Sequence, residues 1–506
     1  MESPKQKYFP TWQLFLLGLC RIAEPVALTS PLPYAYDLMI HLLRNGDSGN
    51  DDSGNDDSGN NPAAFYAGLF VAAFSAAETL TGFWWGALSD RIGRKPVLLL
   101  GCAGTILSMF MLGFATSIWK AIFARVLGGA LNGNVGVVQT MVSEMVSRSE
   151  HEGGLDDVAR AYAVIPFFFS IGCTIGPALG GLLAQQQLNL GKGGREHFLC
   201  LLLRQYPYLL PNLACAGMVL STMVLAWCAL DETHPELRLK RTDEQQQQEP
   251  AQSESSPLLL HHPASSDSAS ARAHAPTEGV AIPAFSLWRL NRNVKMLISA
   301  VCLLSAHTVT YIQLLPIFLR TPRDPSVPRY YIGGVGGLDM SLSTVGLVMG
   351  INGIISLGIQ LLFPVCTDWF GLGRTLLVVT FLHPVAYFCL PYLPFLPARR
   401  WRPVGLWTWL VVRNVFSSFS YPALLIFIKR WTPDPLILGR VNGLVTSAGA
   451  ACRTFSPTVA GLLQSIGENH HFSASAWWGS GVIALLAALQ TWYLELDGEQ
   501  GVPEAC

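Results

Sequence analysis

The chain has 506 residues, 50% of them hydrophobic and 13% charged, with 33 Lys and Arg against 34 Asp and Glu for a net charge of -1. That charge content is well under the roughly 25% of soluble domains, and a near-neutral balance leaves no basic footprint, which excludes nucleic acid as a partner class. The apolar residues fall in runs long enough to cross a hydrocarbon core of about 30 Å, so the expected class is an all-α membrane protein.

Twelve such runs are predicted in chain order. The first six lie at 12–40, 63–88, 97–116, 119–146, 159–184 and 207–230. The second six lie at 294–319, 343–366, 374–396, 404–429, 439–465 and 475–494. The first run lacks the short apolar core and cleavage site of a leader, so it is expected to stay as a span. It holds Arg21 and Glu24, three apart and therefore on one helix face. Between the first two runs an Asp-Ser-Gly-Asn unit recurs over 47–61. It reads as a slipped repeat in a solvated loop, without the Glu and framing of a calcium-binding loop.

The second and third runs are joined by the charged turn 86–96, which contains Gly86, Asp90, Arg91, Gly93, Arg94 and Lys95. Glycine permits a tight turn, and the cations resist transfer through lipid, so both spans should return to one side. The pattern G-x-L-x-D-R-x-G-R-K found here resembles the loop between the second and third spans of the major facilitator superfamily, with every position filled. The resemblance implies twelve transmembrane helices in two pseudo-symmetric six-helix bundles that carry out secondary transport. It also implies that the turn gates the inner face. Asp90 would accept bonds from a neighbouring helix start or a nearby arginine, and Arg91 and Arg94 would pair with carboxylates such as those following the fourth span.

The fifth run contains Gly172, Gly176, Pro177, Gly180 and Gly181. Small residues at these spacings let helix backbones approach closely, and proline bends the span. The array resembles the antiporter motif of drug/proton exchangers, with Ala163 in place of its first glycine. That resemblance implies export, although a generic packing face would use the same residues.

After the sixth run, the polar stretch 231–293 cannot bury enough apolar surface to fold and is expected to be a cytosolic linker. The predicted organisation is therefore a first bundle over 1–230, the linker, and a second bundle over 294–506. Within the linker, Glu254, Leu258 and Leu259 resemble an acidic dileucine sorting signal for an adaptor, favouring the vacuolar over the plasma membrane. The halves repeat one another. Gly176-Pro177-Ala178-Leu179-Gly180-Gly181-Leu182-Leu183 is matched 280 residues on by Ser456-Pro457-Thr458-Val459-Ala460-Gly461-Leu462-Leu463. Arg125 is matched by Arg413, and the turn after the eighth run holds Asp368, Gly371 and Arg374. With the N-terminus cytosolic, Lys and Arg of the inner loops outnumber those of the outer ones, which places both termini and the linker inside.

Charges within spans cost about 2.5–3.5 kcal/mol each at a helix centre and need a reason. Glu24, Arg21, Glu78, Arg125, Arg413 and Arg453 are the candidates for a central cavity in which a carboxylate exchanges a proton. A self-neutralising Arg21–Glu24 pair and a headgroup-facing Arg453 are the structural alternatives. His307 and His383 read as packing residues. Neither a metal-ligand cluster nor a nucleotide-binding loop is visible, so no metal, no cofactor and no enzymatic activity are expected.

Cys20-Arg21-x-Ala23-Glu24-Pro25, Arg125-x-Leu127-x-Gly129-Ala130-Leu131-Asn132-Gly133-Asn134 and Leu438-Gly439-x-x-Asn442-Gly443 are similar to plant zinc-induced-facilitator-like transporters and their fungal relatives. The expected function is export of a small organic or drug-like solute in exchange for protons, by a monomer in the lipid bilayer. A sugar symporter or facilitator, and a non-transporting sensor, are the alternatives.

Overall fold

The computed structural model describes residues 11–47, 62–147, 155–190, 198–234 and 291–494, apart from 325, 329, 398–399 and 433–434. The Asp-Ser-Gly-Asn repeats at 48–61, most of the linker, and Glu254, Leu258 and Leu259 lie outside the described residues. The first half comprises α1 (Thr11–Thr29), α2 (Ala35–Asp47), α3 (Ala63–Ile92), α4 (Arg94–Gly113), α5 (Ile118–Ala130), α6 (Asn134–Ser147), α7 (Leu155–Leu190), α8 (Phe198–Gln205) and α9 (Leu209–Ala229). The second comprises α10 (Arg292–Arg320), α11 (Leu342–Gln360), α12 (Phe363–Phe370), α13 (Leu372–Cys389), α14 (Trp401–Trp431), α15 (Pro435–Asn469) and α16 (Ser475–Trp492).

Eight helices or helix segments are long and apolar enough to cross a membrane, at Ala63–Ile92, Arg94–Gly113, Val164–Gln187, Leu209–Ala229, Arg292–Arg320, Leu342–Gln360, Leu372–Phe395 and Trp401–Trp431. They match eight of the twelve predicted runs, and the other four are helical as well. Three runs expected to be continuous are interrupted. The first breaks at 30–34, where Pro31 and Pro33 withdraw backbone donors and the chain turns from α1 into α2. The fourth breaks at 131–133, around Asn132 and Gly133, and the eighth at Leu361 and Leu362. The short helix α8 was not foreseen.

The charged turn marks one face of the molecule, here called the loop face; the opposite one is the far face. α3 descends from Ala63 at the far face to Ile92 at the loop face. A single glycine, Gly93, at φ 102° then starts α4. Gly371 at φ 82° makes the same one-residue junction between α12 and α13. Both conformations are open to glycine and costly for other residues.

Two seams join the halves, and both lie toward the far face. In the first, a Cβ added at Gly68 of α3 would overlap the Pro457 carbonyl of α15, and one at Gly461 the Ala64 carbonyl. Phe65 N–H donates to Ser465 Oγ beside them at 3.1 Å. The second seam repeats the pattern between α11 and α7. Gly346 abuts the Pro177 carbonyl, and Gly181 abuts the Leu342 carbonyl. Backbones this close gain dispersion and weak Cα–H···O contacts that any side chain would forfeit.

The core has the same asymmetry. One large cluster, including Ala27, Tyr34, Phe70, Leu314, Val345 and Trp477, runs through both halves. At the loop face it gives way to two separate clusters, one around Leu17, Val97 and Met141 and the other around Leu297, Leu376 and Phe427. Along α3, Gly82 and Gly86 have nothing within 4 Å of an added Cβ, and the same holds for Gly358 and Gly443 across the divide. The halves are therefore joined at the far face and parted at the loop face.

Candidate proton and substrate site

α1 places Arg21 and Glu24 one turn apart, and the guanidinium Nη1 donates to Glu24 Oε2. Arg21 also lies 5.1 Å from the ring centroid of Phe169 on α7. The break between α5 and α6 delivers Asn132 into this region. Its Nδ2 donates to Glu24 Oε1 at 2.8 Å and to Glu78 Oε1 of α3 at 2.9 Å. A side-chain amide has two N–H donors, and here each goes to a different carboxylate. The helix has to open for this geometry, and Trp85 Nε1 secures the frayed end by donating to the Ala130 carbonyl at 2.7 Å.

Glu24 is thus neutralised by an arginine, whereas Glu78 receives a hydrogen bond from a neutral amide. Glu78 can take up a proton without breaking an ion pair. Arg453 is exposed and borders a cavity of about 270 Å³ with Ser305, Thr308, Ser417, Tyr421 and Thr446. Arg125 is buried between the rings of Phe70 and Phe74, 5.0 and 4.9 Å away, and Arg413 lies 3.5 Å over Tyr311. In each, two guanidinium nitrogens have no hydrogen-bond partner among the described residues. The matched arginines hold matched positions against aromatic faces. His307 and His383 meet in the second half's core, with ring centroids 4.6 Å apart and His307 Nδ1 3.0 Å from Tyr387 Oη.

At the loop face, Arg94 is the hub. It donates to Asp90 Oδ1 at 2.5 Å, to Ser89 Oγ at 2.9 Å, and to Glu144 Oε1 at 2.8 Å through Nη2 and 3.0 Å through Nε. The backbone N–H groups of Arg94 and Lys95 donate to Glu232 at 2.9 and 3.1 Å, so a carboxylate caps the N-terminus of α4. Lys95 Nζ donates to the Trp227 carbonyl at 2.8 Å. Asp90 therefore pairs within its own turn, and Arg94 takes a carboxylate of the fourth span, while Arg91 is exposed. Asp368 and Arg374 in the matching turn are also exposed. The second turn repeats the glycine junction rather than the buried ion cluster.

The glycines of the fifth span divide between two neighbours. Gly172, Gly176 and Gly180 press on Ile22, Pro25, Val26, Thr29 and Ser30 of α1 and the turn after it, while Gly181 presses on the second half. Among the described residues, no group of three or more His, Cys, Asp or Glu could hold a metal. Sequence reasoning missed the roles of Asn132, Glu144 and Glu232. The signal for Asn132 was an Asn-Gly-Asn interruption in an otherwise apolar run.

A family model described as Major Facilitator Superfamily matches residues 55–412. The chain belongs to the Major Facilitator Superfamily. It is an integral, multi-pass membrane transporter of that superfamily's fold. It is 33% identical over 96% of its length to "Major facilitator superfamily multidrug transporter mfsB" of Aspergillus fumigatus, of which 84% is covered. It is 27% identical over 80% of its length to "Protein ZINC INDUCED FACILITATOR 1" of Arabidopsis thaliana, of which 76% is covered. Among solved structures, a D-xylose-proton symporter superposes with TM-score 0.61 at 14% identity, covering 96% of this chain and 98% of that one. At that identity the likeness is one of fold.

Proposed function

We propose that this facilitator-superfamily transporter exports a small organic solute in exchange for protons, with Glu78 as the proton carrier. The observation behind it is the Asn132 bridge: Glu24 keeps an arginine partner, while among the described residues Glu78 has the amide alone. A proton on Glu78 and a solute drawn to its charge would exclude one another, which is the requirement for exchange. The multidrug name of the fungal relative and the small-residue array of α7 favour export. In this reading the loop face is cytosolic, the first six-helix bundle spans 1–230 and the second 294–506. Asp90, Arg91, Arg94 and Lys95, with Gly86 and Gly93, govern closure of the cytosolic face. Arg453 lines the solute path, Arg125 and Arg413 stand behind aromatic rings beside it, and the vacuolar membrane is the proposed location.

The test uses purified protein in vesicles with an imposed pH gradient. Glu78→Gln should abolish gradient-driven accumulation while leaving solute exchange across the membrane intact. Gradient-driven accumulation at the unaltered rate in Glu78→Gln would show that the proton travels elsewhere.

A further inference from the structure

A second cavity lies at the far face, remote from the Glu24–Asn132–Glu78 centre. Its volume is about 560 Å³, and both halves line it. Its charge is unbalanced: Asp37, Asp324, Asp339 and Glu468 border it against Arg320, Arg323 and His471. Arg320 Nε is spent on Asp37 at 2.7 Å, and Asp324 is paired with His471 at 2.8 Å. Asp339, exposed and held at φ 53°, keeps a carboxylate at the rim. Glu468 is different. Among the described residues the donors that reach it are neutral, the Gln464 amide at 3.0 Å and the Tyr36 hydroxyl at 3.3 Å.

A second, independent observation lies beside it. Gln464, only 6% exposed, borders the cavity, and its Oε1 has no hydrogen-bond partner among the described residues. A buried amide oxygen without a donor costs about 1–3 kcal/mol, so the protein keeps it there only at a price in stability. A carboxylate with neutral donors beside an unsatisfied acceptor asks for a ligand that brings both N–H groups and positive charge. The rings of Tyr36 and Phe318, one from each half, also line the cavity and add a surface that favours cations.

We propose that this cavity is a binding site for a donor-rich organic dication, seated between the halves at the far face. One cationic end meets Glu468 and Gln464, and the other meets Asp339 at the rim. Glu468, Gln464 and Asp339 belong to the second half, and Tyr36 and Asp37 of the first complete the cavity around the ligand, so it is enclosed only while the far face is closed. The ligand would therefore hold the transporter in the state described here and slow its turnover without competing for the central site.

Agmatine, a guanidinium and an ammonium on one short stem, is a suitable probe. Binding to the full-length protein in lipid nanodiscs should be saturable by calorimetry. It should weaken at least tenfold in Gln464→Leu and severalfold in Asp339→Asn, whose exposed side chain makes loss of folding no concern. Glu78→Gln should bind agmatine as the unaltered protein does, and 4-guanidinobutanoate, in which a carboxylate replaces the ammonium, should not bind. No saturable binding, or equal affinity in both far-face variants, would overturn the proposal. Loss of binding in Glu78→Gln would also overturn it, by assigning agmatine to the central site. Failure of the proton-exchange reading would leave these far-face results unchanged.

Discussion

At the scale of single residues, Asn132 does what neither carboxylate could do alone. Two anions held near each other repel, and a shared amide lets both remain solvated by the protein. Asn132→Leu keeps the bulk but removes both donors, a loss of about 1–3 kcal/mol. Proton-driven transport should fall about tenfold, with a displaced midpoint in its pH profile. A transport assay across pH 5–8 checks this, because a purely structural defect would lower the rate without moving the midpoint. Gly93 makes a different prediction. At φ 102° and ψ 165° it occupies backbone space that is nearly exclusive to glycine, so Gly93→Ala should cost about 1–3 kcal/mol and lower the melting temperature. Gly82→Ala, inside α3 with open space around it, should melt no lower than the unaltered protein. Equal melting shifts in both would remove the backbone argument.

At the scale of elements, the two seams are the repeated devices, α3 against α15 and α7 against α11. Gly68→Val and Gly346→Val each drive a branched side chain into a carbonyl of the opposing half, an overpacking cost of about 1–3 kcal/mol. Each should raise the reactivity of a cysteine introduced at Ser465 toward a membrane-impermeant maleimide applied to the far side. Unchanged labelling in both variants would show that these contacts do not hold the far face shut. Much of this element layer was legible. Apolar run length gave the spans, and the recurrence 280 residues apart of a proline followed four residues on by glycine, Pro177-Gly181 and Pro457-Gly461, foretold matched helices. What spacing alone could not show is that the glycine of one half meets the carbonyl of the other, since helix rotation is invisible in a single run. The breaks were harder still. Pro31 and Pro33 announce the end of α1, but Asn132 opens a helix for the sake of two carboxylates distant in sequence. Glu232 likewise caps α4 from 138 positions away, and no local pattern predicts such a partner.

At the scale of the whole molecule, the environment of Glu468, beyond the end of the eleventh predicted span, predicts that closure of the far face responds to pH. Burial pushes its carboxyl up, and this outweighs the hydrogen bonds from Gln464 and Tyr36 that pull it down. Opening would admit water to the site and lift that burial, so the group would return toward its ordinary value. The closed state therefore binds the proton more tightly. Its extra stability is fully present below the open-state value and is lost as pH rises through the closed-state value. Raising the far-side pH should shift the population toward opening, and Glu468→Gln should flatten that response. A titration of far-face spin-label distances measures both.

The central claim is that two six-helix bundles rock about the solute path, so that one face shuts as the other opens. Pulsed electron spin resonance tests it directly, in a background with reactive cysteines replaced. One label pair, at Gly82 and Gly443, spans α3 and α15 toward the loop face; the other, at Phe65 and Ser465, spans the same helices at the far face. Under an imposed pH gradient with transported solute, the loop-face distance should shorten in the same population in which the far-face distance lengthens. Two distances that change together, or neither changing during active transport, would contradict the account.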